Sequence, residues 1–257
     1  MMKEYKLWES SKTDLTTIQC YTPSYKASNA AVVILPGGAY ANHADYEGVG
    51  YAQVFNAYGM TAFVLNYRVA PFRFPQPLLD ARRAVRFIRA RAEEFGVDKD
   101  KILVIGSSAG GHLAALLSTY IEKLDCEGSD DIDKEDYLPN GQILCYPVIS
   151  SDENIGHLGS YQNLLGDMFN QREKFSPDKL VGVTTPEAFI WHTSTDKIVN
   201  VINSYRYAEA LAKNEVSCEM HIFPVGDHGC GVGASVPYVS KWIELLRQWL
   251  LLNKFIG

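Results

Sequence analysis

Ile102-Leu103-Val104-Ile105-Gly106-Ser107-Ser108-Ala109-Gly110-Gly111-His112 is the stretch on which the fold turns. Four consecutive apolar residues read as a strand buried on both faces, and the G-x-S-x-G that follows leads into a helix of small side chains. A strand that turns this abruptly into a helix tolerates only small residues around the turn, and it lifts the serine hydroxyl off the end of the sheet. Ser108 is therefore a candidate nucleophile. The pattern carries weight only if a base, an acid and an oxyanion site exist elsewhere in the chain.

Outward from this point, short apolar runs alternate with segments of helical period, the mark of a mostly parallel sheet covered on both faces. The spacing predicts strands at Thr17 to Tyr21, Val32 to Leu35, Thr61 to Asn66, Ile102 to Ile105, Gln142 to Tyr146, Ala188 to His192 and Cys218 to Phe223. Leu78, Ala81, Val85, Ile88, Ala92 and Phe95 share one face of a helix, which leaves Arg82, Arg83, Arg86 and Arg89 as a solvated face. Tyr205, Ala208 and Leu211 mark a further helix. Val239 to Leu250 gives the last one, with Pro237 suited to its start.

Two stretches break the rhythm. Asp125 to Asn140 is acidic and rich in turn formers, which predicts an exposed loop; its Asp130, Asp131, Asp133, Glu135 and Asp136 lack the spacing of a calcium loop. Residues 150 to 183 lie between two predicted strands and could form a small lid. With 257 residues and no linker or repeat, the expectation is one α/β domain, 1–257, with that lid as an insertion.

Composition narrows the partners. The chain has 24 basic and 30 acidic residues, a net charge of -6, which argues against general affinity for nucleic acid or an anionic membrane surface. No stretch approaches the length of a membrane span. Met1 to Lys12 has no apolar core of the kind a secretory signal needs, and the five cysteines, Cys20, Cys126, Cys145, Cys218 and Cys230, show neither C-x-x-C pairing nor metal-ligand spacing. This predicts reduced thiols in a cytoplasmic chain, although a mature secreted form would read the same way. The expected chemistry needs no metal and no organic cofactor.

The helix after Ser108 offers the N–H of Ala109 and the positive end of its dipole to a developing oxyanion. A second donor should come from the loop after an earlier strand, where Leu35-Pro36-Gly37-Gly38-Ala39-Tyr40 supplies Gly38 and Ala39. Among six histidines, His221 and His192 fall in strands, His157 in the lid segment and His112 on the helix behind the nucleophile. His43 follows the glycine-rich loop and could line the pocket. His228, in Gly226-Asp227-His228-Gly229, comes just after the last strand, where a parallel sheet keeps its catalytic groups. Chain order then puts the acid between Ser108 and His228. Asp196, after the preceding strand, is preferred to Asp152 and to Asp227.

With these residues in hand, the chain resembles α/β-hydrolase esterases of the acetylxylan-esterase-like group, related to the hormone-sensitive-lipase type. The resemblance covers most of the length and rests on Pro36-Gly37-Gly38-Ala39-Tyr40, Asn66-Tyr67-Arg68, Gly106 to Ala114, Trp191-His192-Thr193 with Asp196, and His228-Gly229. It carries the acid and base roles onto Asp196 and His228. Departures are Pro36 where many relatives have His, Ala39 where a third glycine is common, and Asn200 in place of a proline. The resemblance implies a serine esterase acting on short acyl groups, often acetyl on xylose units, through an acyl-enzyme. Tyr40, His43 and Tyr161 could floor a sugar site or be ordinary packing. A general short-chain carboxylesterase is the nearest rival; a peptidase of the prolyl-oligopeptidase kind lacks room for its gating domain, and a non-catalytic binding protein would have no use for the three triad residues.

Overall fold

The computed structural model describes residues 2–8, 16–124 and 130–257. The strands are β1 (Met2–Lys6), β2 (Thr17–Tyr21), β3 (Ala31–Leu35), β4 (Thr61–Asn66), β5 (Ile102–Ser107), β6 (Gly141–Cys145), β7 (Ala188–Thr193) and β8 (Cys218–Phe223). They form one sheet in the order β1-β2-β4-β3-β5-β6-β7-β8. From β4 to β8 every neighbour is parallel, while β1 and β2 pair antiparallel at one edge. The central runs are apolar throughout because both faces are covered: β3, β5 and β6 have no exposed residue.

The helices are α1 (Asp45–Ala57), α2 (Gln76–Ala90), α3 (Ala92–Phe95), α4 (Ala109–Thr119), α5 (Leu158–Leu165), α6 (Ile202–Lys213) and α7 (Lys241–Leu252). Strand alternation divides the core. Val33, Val104 and Ile190 pack with Leu78, Val85, Leu113 and Tyr207 of α2, α4 and α6. Val32, Ile105 and Trp191 pack on the opposite face with Phe55 of α1 and Trp242 and Leu246 of α7. Crossovers of this kind bring the carboxyl ends of β3, β5, β6, β7 and β8 to one edge, where loops can converge.

The sequence reading needs several corrections. The helical period from Leu78 to Phe95 is broken at Arg91 into α2 and the single turn α3, and the last helix begins at Lys241, four residues beyond Pro237. Strand β1 had no sequence signal, since its side chains are mostly exposed and charged. The largest error concerns Arg82, Arg83, Arg86 and Arg89, all of which are buried.

Their partner is the 130–140 segment. Arg83 pairs with Asp133 at 2.9 Å and with Asp130 at 2.5 Å; Arg86 Nε donates to the Glu135 carbonyl at 2.9 Å; Arg89 Nη2 donates to the Leu138 carbonyl at 2.8 Å. The Arg82 guanidinium lies 4.0 Å from the Tyr137 ring centroid. An irregular segment carries carbonyls that no ladder satisfies, and guanidinium forks with several donors can take them up. Asp133 is accordingly buried, contrary to an exposed loop, whereas Asp131 stays in solvent. Residues 125–129, Cys126 included, lie outside the described residues, as do Met1 and 9–12 of the amino-terminal stretch. Cys20, Cys145, Cys218 and Cys230 are free thiols. Among the described residues no helix is long and apolar enough to cross a membrane.

Candidate active site

Ser108 stands between β5 and α4 with φ 53° and ψ -118°, a conformation rare for a residue with a side chain. The crowding around it explains the flanking glycines. A Cβ on Gly106 would lie 2.1 Å from the Gly110 carbonyl oxygen, and one on Gly110 would lie 2.1 Å from that of Leu35. Amide bonds hold the turn in place: Ser108 N–H donates to the Cys145 carbonyl at 3.0 Å, and the Ser108 carbonyl accepts from Val148 and His112. The strain is thus fixed by β6 on one side and α4 on the other.

His228, on the loop after β8, reaches across the sheet edge. Its Nε2 is 2.8 Å from Ser108 Oγ and its Nδ1 2.6 Å from Asp196 Oδ2. An ionised carboxylate can only accept, so Nδ1 carries the proton and Nε2 is left to accept from the serine. Asp196 Oδ1 takes the amides of Ile198 and Val199 at 2.8 and 2.9 Å. Burial by itself would raise the carboxyl pKa, but hydrogen bonds from His192 and His228, the His228 charge and the Val199 amide outweigh it and hold Asp196 well below the usual carboxylate range.

His192 supplies a support that its place in a strand did not reveal. Its Nε2 lies 3.0 Å from the Val199 carbonyl and 3.2 Å from Asp196 Oδ2. A carbonyl oxygen accepts only, which places the proton on Nε2 and leaves Nδ1 to accept from Ser204 at 2.8 Å. The buried imidazole so fixes both the Asp196 carboxylate and the turn behind it.

The oxyanion loop is built with comparable strain. Gly38, Ala39 and Tyr40 have φ of 127°, 56° and 58°. A Cβ on Gly38 would fall 2.1 Å from the Asn42 carbonyl oxygen. The loop is tied down by Tyr67 Oη donating to the Pro36 carbonyl at 2.6 Å, Asn163 Nδ2 to Ala39 O at 2.9 Å and Ala70 N to Tyr40 O at 2.8 Å. Among the described residues the N–H groups of Gly38 and Ala39 donate to no protein acceptor. Ala109, first residue of α4, has no partner within its own helix.

Glu47 on α1 is the main residue that sequence reasoning missed. It is buried, with Oε2 accepting from Gly37 N–H at 2.6 Å and Oε1 from Tyr146 Oη at 2.6 Å. Tyr146 Oη also accepts from the Gly231 amide at 2.9 Å, and its ring packs edge-on against His228 with centroids 5.1 Å apart. Burial raises the Glu47 pKa despite these donors. A lone glutamate in a first helical turn gives no hint of this in sequence.

The cleft over Ser108 has a volume of about 350 Å³, and its walls include Gly38, Ala39, Tyr46, Glu47, His157, Ile198 and His228. Tyr40 and His43 are not brought to it. Tyr40 is buried with its hydroxyl 2.8 Å from His112 Nδ1. His43 packs on Tyr67 and lines a separate cavity beyond Pro36. Tyr161 is also core, its hydroxyl donating to the Ile149 carbonyl. Each follows a loop or lid in sequence, but its ring turns inward to fill volume. Asp152 pairs with Arg206 instead, and Asp227 is exposed.

Comparison with known proteins decides the family. The BD-FAE family model matches residues 18–211. The chain belongs to the BD-FAE family. The chain is similar to endo-1,4-beta-xylanase B of Butyrivibrio fibrisolvens, 34% identical over 91% of this chain and 38% of the relative. The acetylxylan esterase of Xylanibacter ruminicola is 31% identical over 90% of this chain and 47% of its own length. The chain thus spans less than half the length of these curated relatives. A crystal structure of an acetyl ester-xyloside bifunctional hydrolase from Caldicellulosiruptor lactoaceticus matches with TM-score 0.90 and 36% identity, covering 99% of this chain and 97% of that one. Fold and family agree with the resemblance drawn from sequence: this BD-FAE chain has the α/β-hydrolase fold, and the proteins it is similar to include an acetylxylan esterase and an acetyl ester-xyloside hydrolase.

Proposed function

We propose that the chain is a serine esterase that removes short acyl groups, above all acetyl, from xylo-oligosaccharides or related sugars. The observation that carries this reading is the bridge from Ser108 through His228 to Asp196, at 2.8 and 2.6 Å. In this reading His228 Nε2 takes the Ser108 proton as Oγ attacks the acyl carbon. The oxygen that becomes negative is held by the amides of Gly38, Ala39 and Ala109, and loss of one such donor costs about 3 kcal/mol of transition-state stabilisation. His228 then gives its proton to the departing alcohol. Water, deprotonated by His228, attacks the acyl-enzyme and releases the acid.

The acetyl and sugar parts of the reading draw on the similar proteins, an acetylxylan esterase and an acetyl ester-xyloside hydrolase. The small cleft favours a short acyl chain. Residues 150–183, which carry α5 and the one-turn and longer 3-10 stretches Pro177–Lys179 and Gly166–Phe175, act here as a lid-like insertion on the single domain. The test is a series of esters from acetyl to octanoyl, run beside acetylated xylo-oligosaccharides with Ser108→Ala as control. The expected result is a preference for acetyl, cleavage of the sugar acetates, and a rate lower by several orders of magnitude in the variant. Activity confined to octanoyl esters, or to acetates of non-sugar alcohols, replaces this reading with a general carboxylesterase. An Ala variant as fast as the parent overturns the mechanism, and failure of a fluorophosphonate to label Ser108 favours a binding protein.

A further inference from the structure

His157 caps α5 from the cleft side. Its Nδ1 lies 3.3 Å from the Ser160 amide and 2.8 Å from Ser160 Oγ. A backbone N–H can only donate, so Nδ1 is an acceptor and the neutral ring carries its proton on Nε2. Burial, with repulsion from His228 added, lowers the pKa of the ring and favours that neutral form. Among the described residues no protein group pairs with Nε2. Because Nδ1 is turned onto the helix end while the ring lines the cleft, Nε2–H is the donor left for whatever enters it.

Which part of an ester would meet this donor follows from the roles already assigned. The loop Gly38–Ala39 takes the carbonyl oxygen, while His228 Nε2 hands its proton to the oxygen of the leaving alcohol. The wall near His228 therefore faces the alcohol half. His157 lines the same cleft as His228, and the charges of both His228 and Asp196 act on its ring. We propose that His157 Nε2–H is a specificity-determining donor for the alcohol half, binding a hydroxyl or ring oxygen next to the ester as polyols and sugars provide. The proposal rests on the esterase reading above and adds to it the residue that selects the alcohol.

The test compares an acetate with polar oxygens beside the ester, monoacetylated methyl xyloside, and one without them, cyclohexyl acetate, in the parent and in His157→Asn. Asparagine retains an N-cap oxygen for α5, while its amide donor sits too close to the backbone to reach the place of Nε2–H. The expected result is a loss of about tenfold in kcat/KM on the xyloside acetate, the size of one hydrogen bond, and a change of less than about twofold on cyclohexyl acetate. Should the asparagine variant unfold, His157→Ser keeps the cap and carries the same expectation. An equal loss on both substrates, or none on the xyloside, overturns the role of His157 while leaving the esterase reading intact. If the parent cleaves only cyclohexyl acetate, the sugar reading itself falls and this inference falls with it.

Discussion

Two regions of the molecule bury charge, one where the sequence suggested solvent and one where it singled out Asp196 but not Glu47, and they use it differently. Along α2, arginines reach 130–140 and turn their donors onto carboxylates and carbonyl oxygens of an irregular segment. At the carboxyl edge of the sheet, Glu47 and Asp196 are the acceptors, and the amides, hydroxyls and imidazoles that they collect belong to loops from several strand ends. The arginines of the first network turn to protein acceptors, with Asp130 and Asp136 partly in solvent. The second leaves a serine hydroxyl, loop amides and an imidazole N–H facing a cleft. Buried charge by itself therefore says little about chemistry; donors left without a protein acceptor beside it say much more.

The sharpest way to break the comparison is at Asp196. Asp196→Asn keeps the shape of the site but removes the acceptor that fixes the His228 tautomer, and kcat should fall by roughly 10⁴-fold with the fold retained. Normal turnover in that variant would make the Asp196 network structural like the arginine one. Next comes Arg83→Met, which leaves Asp133 buried without its closest cation. Denaturant unfolding should show a loss of about 3 kcal/mol, whereas kcat of the folded protein stays at the parent level; a fall in kcat would erase the distinction between the regions.

Glu47→Gln is expected to lower kcat by roughly tenfold with KM little changed, since an amide can accept from only one of the two donors that the carboxylate joins. An unchanged kcat would reduce Glu47 to packing. The smallest effect concerns pH. The Glu47 pKa is raised above its ordinary 4.5, so its ionisation favours the unfolded chain: the stability of the parent relative to Glu47→Gln should decline as pH rises through and above 4.5. Asp196, depressed below its ordinary 3.8, has the opposite sign, and the advantage of the parent over Asp196→Asn should be complete above 3.8 and fade only as pH falls further. Thermal unfolding of the three proteins across pH 3 to 8, a range set by these ordinary carboxyl values, reads both slopes; parallel curves would refute the assignment.

Much of this was legible because the signals are local. Apolar runs marked the strands, and glycines at 106 and 110 were required by contacts within a few residues or with the adjacent strand. Ser108, Asp196 and His228 could be singled out because each follows a strand whose end must face one edge, and the structure brings the three side chains together. The Asn66-Tyr67-Arg68 motif proved to be scaffold: Tyr67 anchors Pro36, and Arg68 forms a two-pronged pair with buried Asp80. What stayed illegible depends on partners far along the chain. An arginine stripe on a helix looks the same whether water or a distant carbonyl receives it, as Arg86 and Glu135, 49 residues apart, illustrate. Tyr40 and His43 were placed by loop position, but the direction of a ring is set by the cavity it fills. His157 read as structural, and as a helix cap it is; only the tautomer implied by that cap exposed its other nitrogen.

The Glu47 carboxylate has one more consequence. It ties Gly37 after β3 to Tyr146 after β6, and through Tyr146 to Gly231 after β8. Changes at any of these positions should be tolerated only in concert, so a double-mutant cycle across them would be far from additive. In the 150–183 segment Tyr161, Leu164 and Phe175 are buried in the core and Asn163 holds the Ala39 carbonyl, but the exposed positions, such as Val183, answer to no such knot. A lineage under pressure to accept a new alcohol could therefore rewrite those exposed positions residue by residue while the machinery below them stays locked. In this molecule the capacity to innovate and the capacity to react are housed in different stretches of chain.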